Sequence, residues 1–424
     1  MISNDILQRI GMALLLVGLY TNVGVPISIL DRPGGLLLCI GVVFLAYQFS
    51  HLLSVINGNV RLLLGSVFGL WSINILISPD WTYLVERVRS LAMLFGSTSV
   101  FVAVYVYLVS IEKKTFALLF QSLAILVLLG SFLEIHTFFR DFSEYVRSAL
   151  YDGSFNYASE DRDLEFIGHI RPCLFTQEPS HVAKFLTFCV AAYGLTSDSR
   201  FGVLITSILF IAALLVTGSP TVLTGIFLYF FTVCSMHFAN SLSGKLAFAL
   251  IFFIVMLGYL NIQSVAGWLN IARAQAIANN ADASTTIRTA GPAEIAKLTI
   301  ERYPLTGTGL GARELVQDIV VDVYSRNPNI YVQRIIENPG YAGWGNAFFE
   351  FFVYGGFGFS ALIVITYARL FYEFTGHYVI GLVAFFCVFV SDSGFAAPRV
   401  WTYLAIILAS IQHRSSRFGK EFLP

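Results

Sequence analysis

Long apolar runs separated by short polar segments dominate the pattern of this chain. A helix needs roughly 20 mostly apolar residues to span a bilayer. The pattern therefore predicts an all-α polytopic membrane protein with about twelve transmembrane helices, in which residues 1–424 form a single transmembrane domain. The predicted spans are 11–30, 34–56, 60–78, 91–111, 115–135, 181–197, 201–217, 221–239, 245–262, 345–369, 377–391 and 398–412. Because the first run is too long for the core of a cleavable signal peptide, we interpret it as a span.

The apolar stretch 201–239 admits two interpretations. Gly218, Ser219 and Pro220 interrupt it, and these residue types favour a tight turn between two helices. A single kinked helix is the alternative, and it would reverse the orientation of every later segment. The stretch has about twice the length that one span requires, so its length favours two helices.

Two long polar stretches, 136–180 and 263–344, stand out because every other connection is short. Lys and Arg accumulate in the short cytoplasmic loops of membrane proteins. With the N-terminus inside, the cytoplasmic side holds Arg9, Arg61, Lys113, Lys114, Arg200, Lys245, Arg369, Arg414, Arg417 and Lys420. The short outer loops hold Arg32, Arg87, Arg89 and Arg399. This bias predicts cytoplasmic N- and C-termini and places both long loops outside.

Composition agrees with a membrane protein and excludes several other classes. Only 12% of the residues are charged, and the mean hydropathy is +0.73. Soluble domains carry about 25% charged residues, so this chain lacks the charge to cover a water-facing surface. A soluble enzyme, a disordered scaffold and a nucleic-acid-binding protein are therefore excluded. The 26 basic and 26 acidic residues cancel, and the cysteines show no spacing typical of disulfides or zinc.

Within the loop 263–344, residues 293–302 have helical spacing and lie between Arg288 and a glycine-rich run at 307–311. The helix is expected to stop at Pro304. The glycine-rich run suggests nucleotide binding, but no predicted strand precedes it, so a packed loop is the better interpretation. The guanidinium of Arg288 is suited to paired hydrogen bonds with phosphate oxygens. An arginine that faces solvent or lipid headgroups is the simpler alternative.

Three polar residues enter the sixth predicted span at three-residue steps. Glu178, His181 and Lys184 therefore lie on neighbouring turns of one side of that helix. Polar groups in membrane helices usually face a cavity or the interior of the bundle. We expect this end of the span to border a polar cavity, although Glu178 followed by Pro179 is also a simple helix start.

Asn346 and Glu350 share one face at the start of the tenth predicted span. Asn346 is also a suitable helix cap, whereas a glutamate within an apolar run is harder to explain by local structure. Neither long loop has a cluster of His, Cys or carboxylate side chains with metal-ligand spacing, so we expect no obligatory metal ion. The sequence has no Gly-x-Ser-x-Gly pattern typical of a serine nucleophile.

Four short motifs together resemble those of the bacterial O-antigen polymerase (Wzy) family, which belongs to a wider group with the O-antigen ligases. The motifs are Arg171 with 176–180, residues 284–288, residues 303–309, and residues 346–350 with 355–356. The resemblance extends over the whole hydropathy profile, including the two unequal outer loops. Each motif is loose, and the four together are fairly specific.

The resemblance implies a glycosyltransferase C-type fold with two large periplasmic loops, in a multi-pass protein of the bacterial inner membrane. It implies an enzyme of lipopolysaccharide biosynthesis that polymerises O-antigen repeat units at the periplasmic face. Oligosaccharides linked to undecaprenyl diphosphate are both donor and acceptor, and no cofactor is expected. The other expected partners are membrane lipid, a chain-length regulator and a flippase, whereas nucleic acid is not expected.

The resemblance also implies functional arginines in the two outer loops, here Arg171 and Arg288. These residues would stabilise the charge on the diphosphate leaving group in place of a metal ion. Glu178 is the first candidate for the base that deprotonates the acceptor hydroxyl, and Glu350 is the second. Back-side displacement would invert the anomeric centre. The expected substrate-binding residues are Arg273, Lys297, Arg302, His181, Lys184, Asn346 and Glu350.

One departure from the wider group favours a polymerase. Ligase-like relatives carry a His directly before the residue that matches Asn346, whereas this chain has Gly345. An O-antigen ligase that transfers polymer to lipid A core is the nearest alternative. A polysaccharide transporter or flippase is a further alternative, but it needs polar residues along a membrane path, and this chain has few away from its outer ends.

The predicted topology can be tested by cysteine labelling in intact spheroplasts. A cysteine introduced within 140–165 or 315–335 should react with a membrane-impermeant thiol reagent, because both segments are expected outside. Cysteines near residues 113 or 245 should not react. Labelling in the reverse pattern, measured against the unaltered chain, would contradict the orientation.

Overall fold

The computed structural model describes residues 4–22, 24–25, 34–35, 56–151, 163–164, 170–197, 199–238, 286–327, 332, 336 and 345–415. In these ranges the helices are α1 (Asn4–Thr21), α2 (Gly58–Ile77), α3 (Leu84–Ser110), α4 (Lys113–His136), α5 (Phe139–Leu150), α6 (Pro179–Thr196), α7 (Arg200–Thr217), α8 (Thr221–Phe238), α9 (Gly291–Arg302), α10 (Gln317–Ser325), α11 (Ala347–Thr375), α12 (Tyr378–Ser391) and α13 (Pro398–Arg414). Two-residue strands, β1 (Gly24–Val25) and β2 (Gly34–Gly35), form an antiparallel pair. A π-helical turn, Thr286–Ala290, leads directly into α9.

Several of these helices have the length and composition of membrane spans. Within the described ranges, five are long and apolar enough to cross a membrane: Gly58–Ile77, Trp81–Ser110, Lys113–His136, Arg200–Thr217 and Ala347–Thr375. Shorter apolar helices occupy Gln8–Thr21, Thr221–Met236 and Tyr378–Ser391. The helical class is therefore confirmed, while about twelve spans stays a prediction. The predicted spans 34–56 and 245–262 lie outside the described residues, apart from 34–35 and 56.

The first helix ends earlier than its hydrophobic pattern predicts. The pattern predicts helix over 11–30, but α1 ends at Thr21. Asn22 follows in the left-handed conformation, with φ of 51°, and its amide donates to the carbonyl of Gly18 at 2.9 Å. Asparagine is one of the few residues that end a helix in this way. Hydropathy does not locate this end, because the residues after Asn22 are still largely apolar.

The stretch 201–239 forms two helices, α7 and α8, and not one kinked helix. α7 ends at Thr217, and Gly218 takes the left-handed conformation with φ 54° and ψ 25°. The rings of Phe210 and Tyr229 meet with their centroids 6.1 Å apart, so the two helices fold back on each other. The predicted tight turn is confirmed.

The chain divides into two compact units. The first comprises Met1–Ile56, Val100–Met236 and Ala405–Pro424, and the second comprises Asn57–Ser99 and His237–Leu404. In the first unit, α6 packs against α1, α4 and α7. It is buried along its whole length except at the partly exposed His181. A helix that is apolar on all sides is expected at such a central position.

In the second unit, α11 packs against α2, α9 and α12. The rings of Trp71, Phe351 and Phe395 form part of its core, with centroids 5.3, 5.4 and 6.0 Å apart. α11 is broken at Gly356, where φ is 59° and ψ is −162°. Because hydrocarbon offers no hydrogen bonds, backbone groups released by such a break need partners within the protein.

The segment 303–309 accepts and donates the hydrogen bonds that the break releases. On one side, the amide of Thr308 donates to the carbonyl of Val353 at 2.9 Å. The amide of Gly309 likewise donates to the carbonyl of Tyr354 at 3.1 Å. These carbonyls belong to the turn of α11 that precedes Gly356.

On the other side of the break, amides of α11 donate to carbonyls of the same segment. The amides of Phe357 and Gly358 donate to the carbonyl of Pro304, at 2.8 and 3.2 Å. The amide of Phe359 donates to the carbonyl of Leu305 at 3.0 Å. The segment therefore replaces, as both donor and acceptor, the backbone hydrogen bonds of one turn of α11.

Two polar side chains from other helices hold the carbonyls of Thr306 and Thr308 in the segment. Asn74 of α2 donates from Nδ2 to the carbonyl of Thr306 at 2.8 Å. The buried guanidinium of Arg87, in α3, donates to the carbonyl of Thr308 at 2.7 Å and to that of Asp80 at 2.8 Å. The glycine-rich run is therefore a packed loop, in agreement with the interpretation from sequence.

Replacing Gly356 by Ala should destabilise the second unit. Backbone with φ near 59° and ψ near −162° is essentially restricted to glycine, and it costs about 1–3 kcal/mol for a residue with a Cβ. That Cβ would also lie 2.6 Å from the Gly307 nitrogen and 2.8 Å from the Tyr303 carbonyl oxygen. We expect a lower midpoint of thermal unfolding for Gly356→Ala in detergent.

Gly65→Ala is the matched control for this substitution. Gly65 lies inside α2, and a Cβ there would meet no atom within 4 Å. Alanine is the better helix former, so the control should leave the unfolding midpoint unchanged or raise it. Equal midpoints for Gly356→Ala and Gly65→Ala would show that the break in α11 is not under this constraint.

Candidate functional site

In the first unit, the segment 170–178 carries Arg171 and Glu178 on a strained backbone. Leu174 and Phe175 have φ values of 35° and 65°, which residues with side chains rarely adopt. Each such residue costs about 1–3 kcal/mol and persists only where its surroundings hold it in place. Strain of this kind concentrates at functional sites, so this segment is a candidate.

Hydrogen bonds from three helices hold the two strained residues. The amide of Leu174 donates to the carboxylate of Glu134, in α4, at 2.5 Å. The amide of Phe175 donates to the hydroxyl of Ser143, in α5, at 3.1 Å. From α1, the hydroxyl of Tyr20 donates to the carbonyl of Leu174 at 2.7 Å. Side chains far apart in the sequence therefore determine the path of this segment.

Arg147 of α5 supports the same segment further along the chain. Its Nε donates to the carbonyl of Thr176 at 3.0 Å, and its Nη2 donates to that of Gln177 at 3.4 Å. Burial raises the pKa of the neighbouring Cys173 thiol to about 12. The thiol is therefore protonated at neutral pH, and a protonated thiol is a poor nucleophile. Cys173 is a structural residue of the segment.

Arg171 is largely buried, and Asp163 compensates its charge. Nε of Arg171 donates to one carboxylate oxygen of Asp163 at 2.9 Å, and its backbone amide donates to the other at 3.3 Å. Only 12% of the Arg171 side chain and 2% of the Asp163 side chain are exposed. The pair holds the planar guanidinium in one orientation.

The other predicted residues of the first unit lie at the start of α6. The helix begins at Pro179 with Glu178 in the N-cap position, which confirms the predicted helix start. The hydroxyl of Ser180 donates to the carboxylate of Glu178 at 2.9 Å. His181 and Lys184 lie on successive turns, and Lys184 is buried. The polar cavity expected here stays a prediction.

In the second unit, Asn346 caps α11 and joins it to two other segments. Its Oδ1 accepts hydrogen bonds from the amides of Phe348 and Phe349 at 3.1 and 3.3 Å. Its Nδ2 donates to the carbonyl of Arg288 at 3.1 Å and to that of Val390 at 3.2 Å. The predicted cap is confirmed, and the same side chain fixes the backbone of Arg288.

Gly345 allows this close approach. A Cβ at residue 345 would lie 2.5 Å from the carbonyl oxygen of Ile287 and 3.1 Å from Cα of Arg288. These distances leave no space for a side chain. The side chain of Arg288 itself is exposed. The structure therefore brings Arg288 together with Asn346, as two of the predicted site residues.

Glu350 is buried in an ion pair with Arg313. Nη2 of Arg313 lies 2.6 Å from one carboxylate oxygen, and the other oxygen accepts from the amide of Phe395 at 2.6 Å. Nε of Arg313 donates to the hydroxyl of Tyr354 at 2.6 Å. Burial would lower the pKa of Arg313, but the nearby Glu350 carboxylate and Tyr354 raise it above its ordinary value. Arg313 is therefore charged, and it pairs with Glu350 on the buried face of α11.

An open groove of about 460 Å³ lies between α9 and the first turns of α11. Its lining residues are Ala293, Ala296, Lys297, Ile300, Glu301, Phe348, Phe349 and Phe352. The side chain of Lys297 is 63% exposed, and its Nζ lies 3.9 Å from Glu294. Aromatic rings offer apolar area to a sugar face or a lipid chain, and Lys297 adds a mobile positive charge.

Arg302 does not line this groove. Arg302 forms a two-bond pair with Asp318 of α10, at 3.0 and 2.7 Å. The hydrogen bond from Arg302 lowers the pKa of Asp318 below its ordinary value. Both side chains are exposed, so the pair contributes little to stability. Arg273 lies outside the described residues.

Sequence reasoning does not identify Arg147, Arg313 or Asp392 as residues of these clusters. The carboxylate of Asp392 pairs with Arg399 at 2.5 Å, and its carbonyl accepts from the amide of Ala347 at 2.8 Å. The one available signal is Glu350, since a carboxylate in an apolar helix requires a basic partner. Within the described ranges, no group of three or more His, Cys, Asp and Glu side chains is placed to hold a metal ion.

Comparisons with protein-family models, with curated proteins and with solved structures give no match to this chain. Function must therefore be argued from the residues of the two clusters and from their chemistry.

Breaking the buried pair should destabilise the protein more than breaking an exposed one. Glu350→Gln leaves Arg313 without its counter-charge and should lower the free energy of unfolding by about 3 kcal/mol. This is the lower end of the range for buried pairs, because Arg313 keeps some contact with solvent. We expect a clear fall in the midpoint of thermal unfolding. The exposed control, Asp318→Asn, should cost less than about 1 kcal/mol.

A double variant separates structural from catalytic roles of Glu350. Arg313→Met combined with Glu350→Leu removes both charges and should recover much of the lost stability. Recovery of stability without recovery of function would assign a chemical role to the Arg313–Glu350 pair as well. If Glu350→Gln were as stable as the unaltered protein, the pair would not be the structural contact described above.

Proposed function

We propose that this protein is a membrane glycosyltransferase that polymerises undecaprenyl-diphosphate-linked O-antigen units at the periplasmic face of the bacterial inner membrane. The observation that carries the proposal is the placement of Arg288, whose side chain is exposed while Asn346 and Gly345 fix its backbone. Ala293, the first residue that lines the aromatic groove, follows Arg288 closely in the chain.

This arrangement suits a ligand with an anionic group and an apolar or sugar part. A guanidinium binds phosphate oxygens by paired hydrogen bonds and stays charged at every working pH. Because the backbone of Arg288 is already held, less conformational freedom is lost when a ligand binds. The rings of the groove offer the apolar area that a sugar face or a lipid chain requires.

In the proposed reaction, a hydroxyl oxygen of the incoming unit attacks the anomeric carbon of the growing chain. The bond from that carbon to the phosphate oxygen breaks, and the lipid diphosphate leaves with the electron pair, so the anomeric centre inverts. The hydroxyl proton passes to a carboxylate. Arg288 stabilises the charge that develops on the leaving group, and the resemblance assigns the same role to Arg171.

Glu178 is the better candidate for the proton acceptor. Both carboxylate oxygens of Glu350 are engaged, one with Arg313 and the other with the amide of Phe395. These contacts give Glu350 a structural role in a buried ion pair. Glu178 accepts a hydrogen bond from the hydroxyl of Ser180 at the start of α6, and this contact is compatible with proton transfer.

The packing of Gly345 supports a polymerase over a ligase. Ligase-like relatives carry a His at this place, but here its Cβ would lie 2.5 Å from the carbonyl oxygen of Ile287. A His would therefore require a different path for the segment that carries Arg288. A chain-length regulator and a flippase are the protein partners expected from the resemblance.

Arg288→Lys should lose polymer nearly as completely as Arg288→Ala. A lysine keeps the charge but cannot form the planar, paired contact to a diphosphate. The loss of such a charged hydrogen bond lowers polymer formation by roughly ten-fold or more. The measurement is the ladder of surface polysaccharide on a gel, together with the amount of protein in the membrane.

Arg326→Lys is the matched control for this substitution. Arg326 directly follows α10, and its exposed side chain pairs with Asp322, so its replacement should leave the ladder unchanged. A normal ladder in Arg288→Lys would mean that Arg288 supplies only general electrostatics, and this would contradict the proposed diphosphate contact.

Deletion of the gene distinguishes the polymerase from its nearest alternative. A polymerase joins repeat units to each other, so its loss should leave lipid A core capped by a single unit, without a ladder. We expect this pattern on a polysaccharide gel. Bare core, with long polymer accumulating on undecaprenyl diphosphate, would instead establish a ligase.

A further inference from the structure

We propose that α5 lies along the membrane surface, with an aromatic stripe inserted where lipid headgroups meet acyl chains. The stripe consists of Phe138, Phe142 and Tyr145. These residues are spaced at four and three positions, so they share one face of the helix. Their exposed fractions are 86%, 52% and 73%, which is unusual for aromatic side chains in contact with water.

The other two faces of α5 have different environments. One face is fixed to the protein, because Ser143 and Arg147 contact the segment 170–178 through hydrogen bonds. A separate exposed face is polar and consists of Asp141, Glu144 and Ser148. A helix that exposes an aromatic face and a polar face side by side has the pattern of an interfacial helix.

The exposed surface of α4 indicates that lipid covers the stripe. α4 is one of the described helices that could cross a membrane, and its exposed side chains near the C-terminal end are Leu126, Leu129, Phe132 and Leu133. On a membrane-crossing helix, such residues face acyl chains. α4 ends at His136 and α5 begins at Phe139. The stripe therefore continues the lipid-facing surface at the end of the span, where aromatic rings are preferred.

This placement has a consequence for the strained segment. The rings of Phe139 and Phe142 contact the ring of Phe175, with centroids 5.7 and 5.8 Å apart. Because α5 also holds this segment through Arg147, the depth of α5 at the membrane determines the depth of Arg171 and Glu178. The inference on α5 does not depend on the proposed glycosyltransferase activity.

Spin labels on two faces of α5 test the proposal in the full chain. Tyr145→Cys and Ser148→Cys, in a background whose native cysteines are replaced, are labelled in vesicles of phosphatidylethanolamine and phosphatidylglycerol. Molecular oxygen partitions into the bilayer, whereas a charged nickel chelate remains in water. We expect the ratio of oxygen to nickel accessibility to be several-fold higher at residue 145 than at residue 148. On this proposal, the reaction with an impermeant thiol reagent expected over 140–165 should occur at residue 148 and fail at residue 145.

Two outcomes would overturn the proposal. Equal ratios at both positions, with strong nickel accessibility, would show that the stripe faces water. Low accessibility to both reagents at residue 145 would show that protein covers the stripe, either a second copy or another chain.

Photo-crosslinking gives an independent measurement if a labelled variant accumulates poorly. Benzoyl-phenylalanine at residue 145 replaces one aromatic side chain by another, so it preserves the stripe. We expect crosslinks to lipid at residue 145 and none at residue 148. Crosslinks to protein at residue 145, or to lipid at both positions, would contradict an inserted stripe.

Discussion

The hydrogen bonds between the broken backbone of α11 and the segment 303–309 are the interaction on which the second unit depends. α11 has the composition of a membrane span, and Gly356 interrupts its regular hydrogen bonding. In hydrocarbon, each unpaired backbone group costs several kcal/mol, so the break is tolerated only because the segment pairs with it in both directions. Asn74 and Arg87 hold the segment further, through hydrogen bonds to the carbonyls of Thr306 and Thr308.

Buried polar side chains at the start of α11 likewise need partners within the protein. Glu350 is buried, so it requires a basic partner, and Arg313 reaches it from just beyond the glycine-rich segment. The pair therefore fixes the segment to α11 at a second point. Asn346 adds a cap that also holds the backbone of Arg288. Among the residues that the sequence pattern places near a substrate, Asn346 and Glu350 therefore stabilise the fold. Arg288 differs, because its side chain is exposed and only its backbone is held.

In the first unit, side chains from several helices hold a strained segment of backbone in place. α6 is buried on all sides, and the chain that leads into it passes through two strained residues, Leu174 and Phe175. Glu134 and Arg147 supply the hydrogen bonds that hold this path. Because their partners are backbone groups, they fix the position of Arg171 and Glu178 without taking part in the proposed chemistry.

The sequence by itself determined the helical class, most helix positions, the turn at Gly218, the helix start at Pro179 and the cap at Asn346. These features depend on local composition and backbone preference. It also singled out Glu350, since a charge within an apolar run is rare, and Arg288, through the chemistry of a guanidinium and the motifs that resemble a known family. It did not locate the end of α1, the helix α5 or the break in α11. Only the tertiary structure decided that Glu350 is bound by Arg313 and that the segment 303–309 pairs with the backbone on either side of Gly356. These contacts join residues distant in the sequence, and local patterns carry no information about which distant groups satisfy one another.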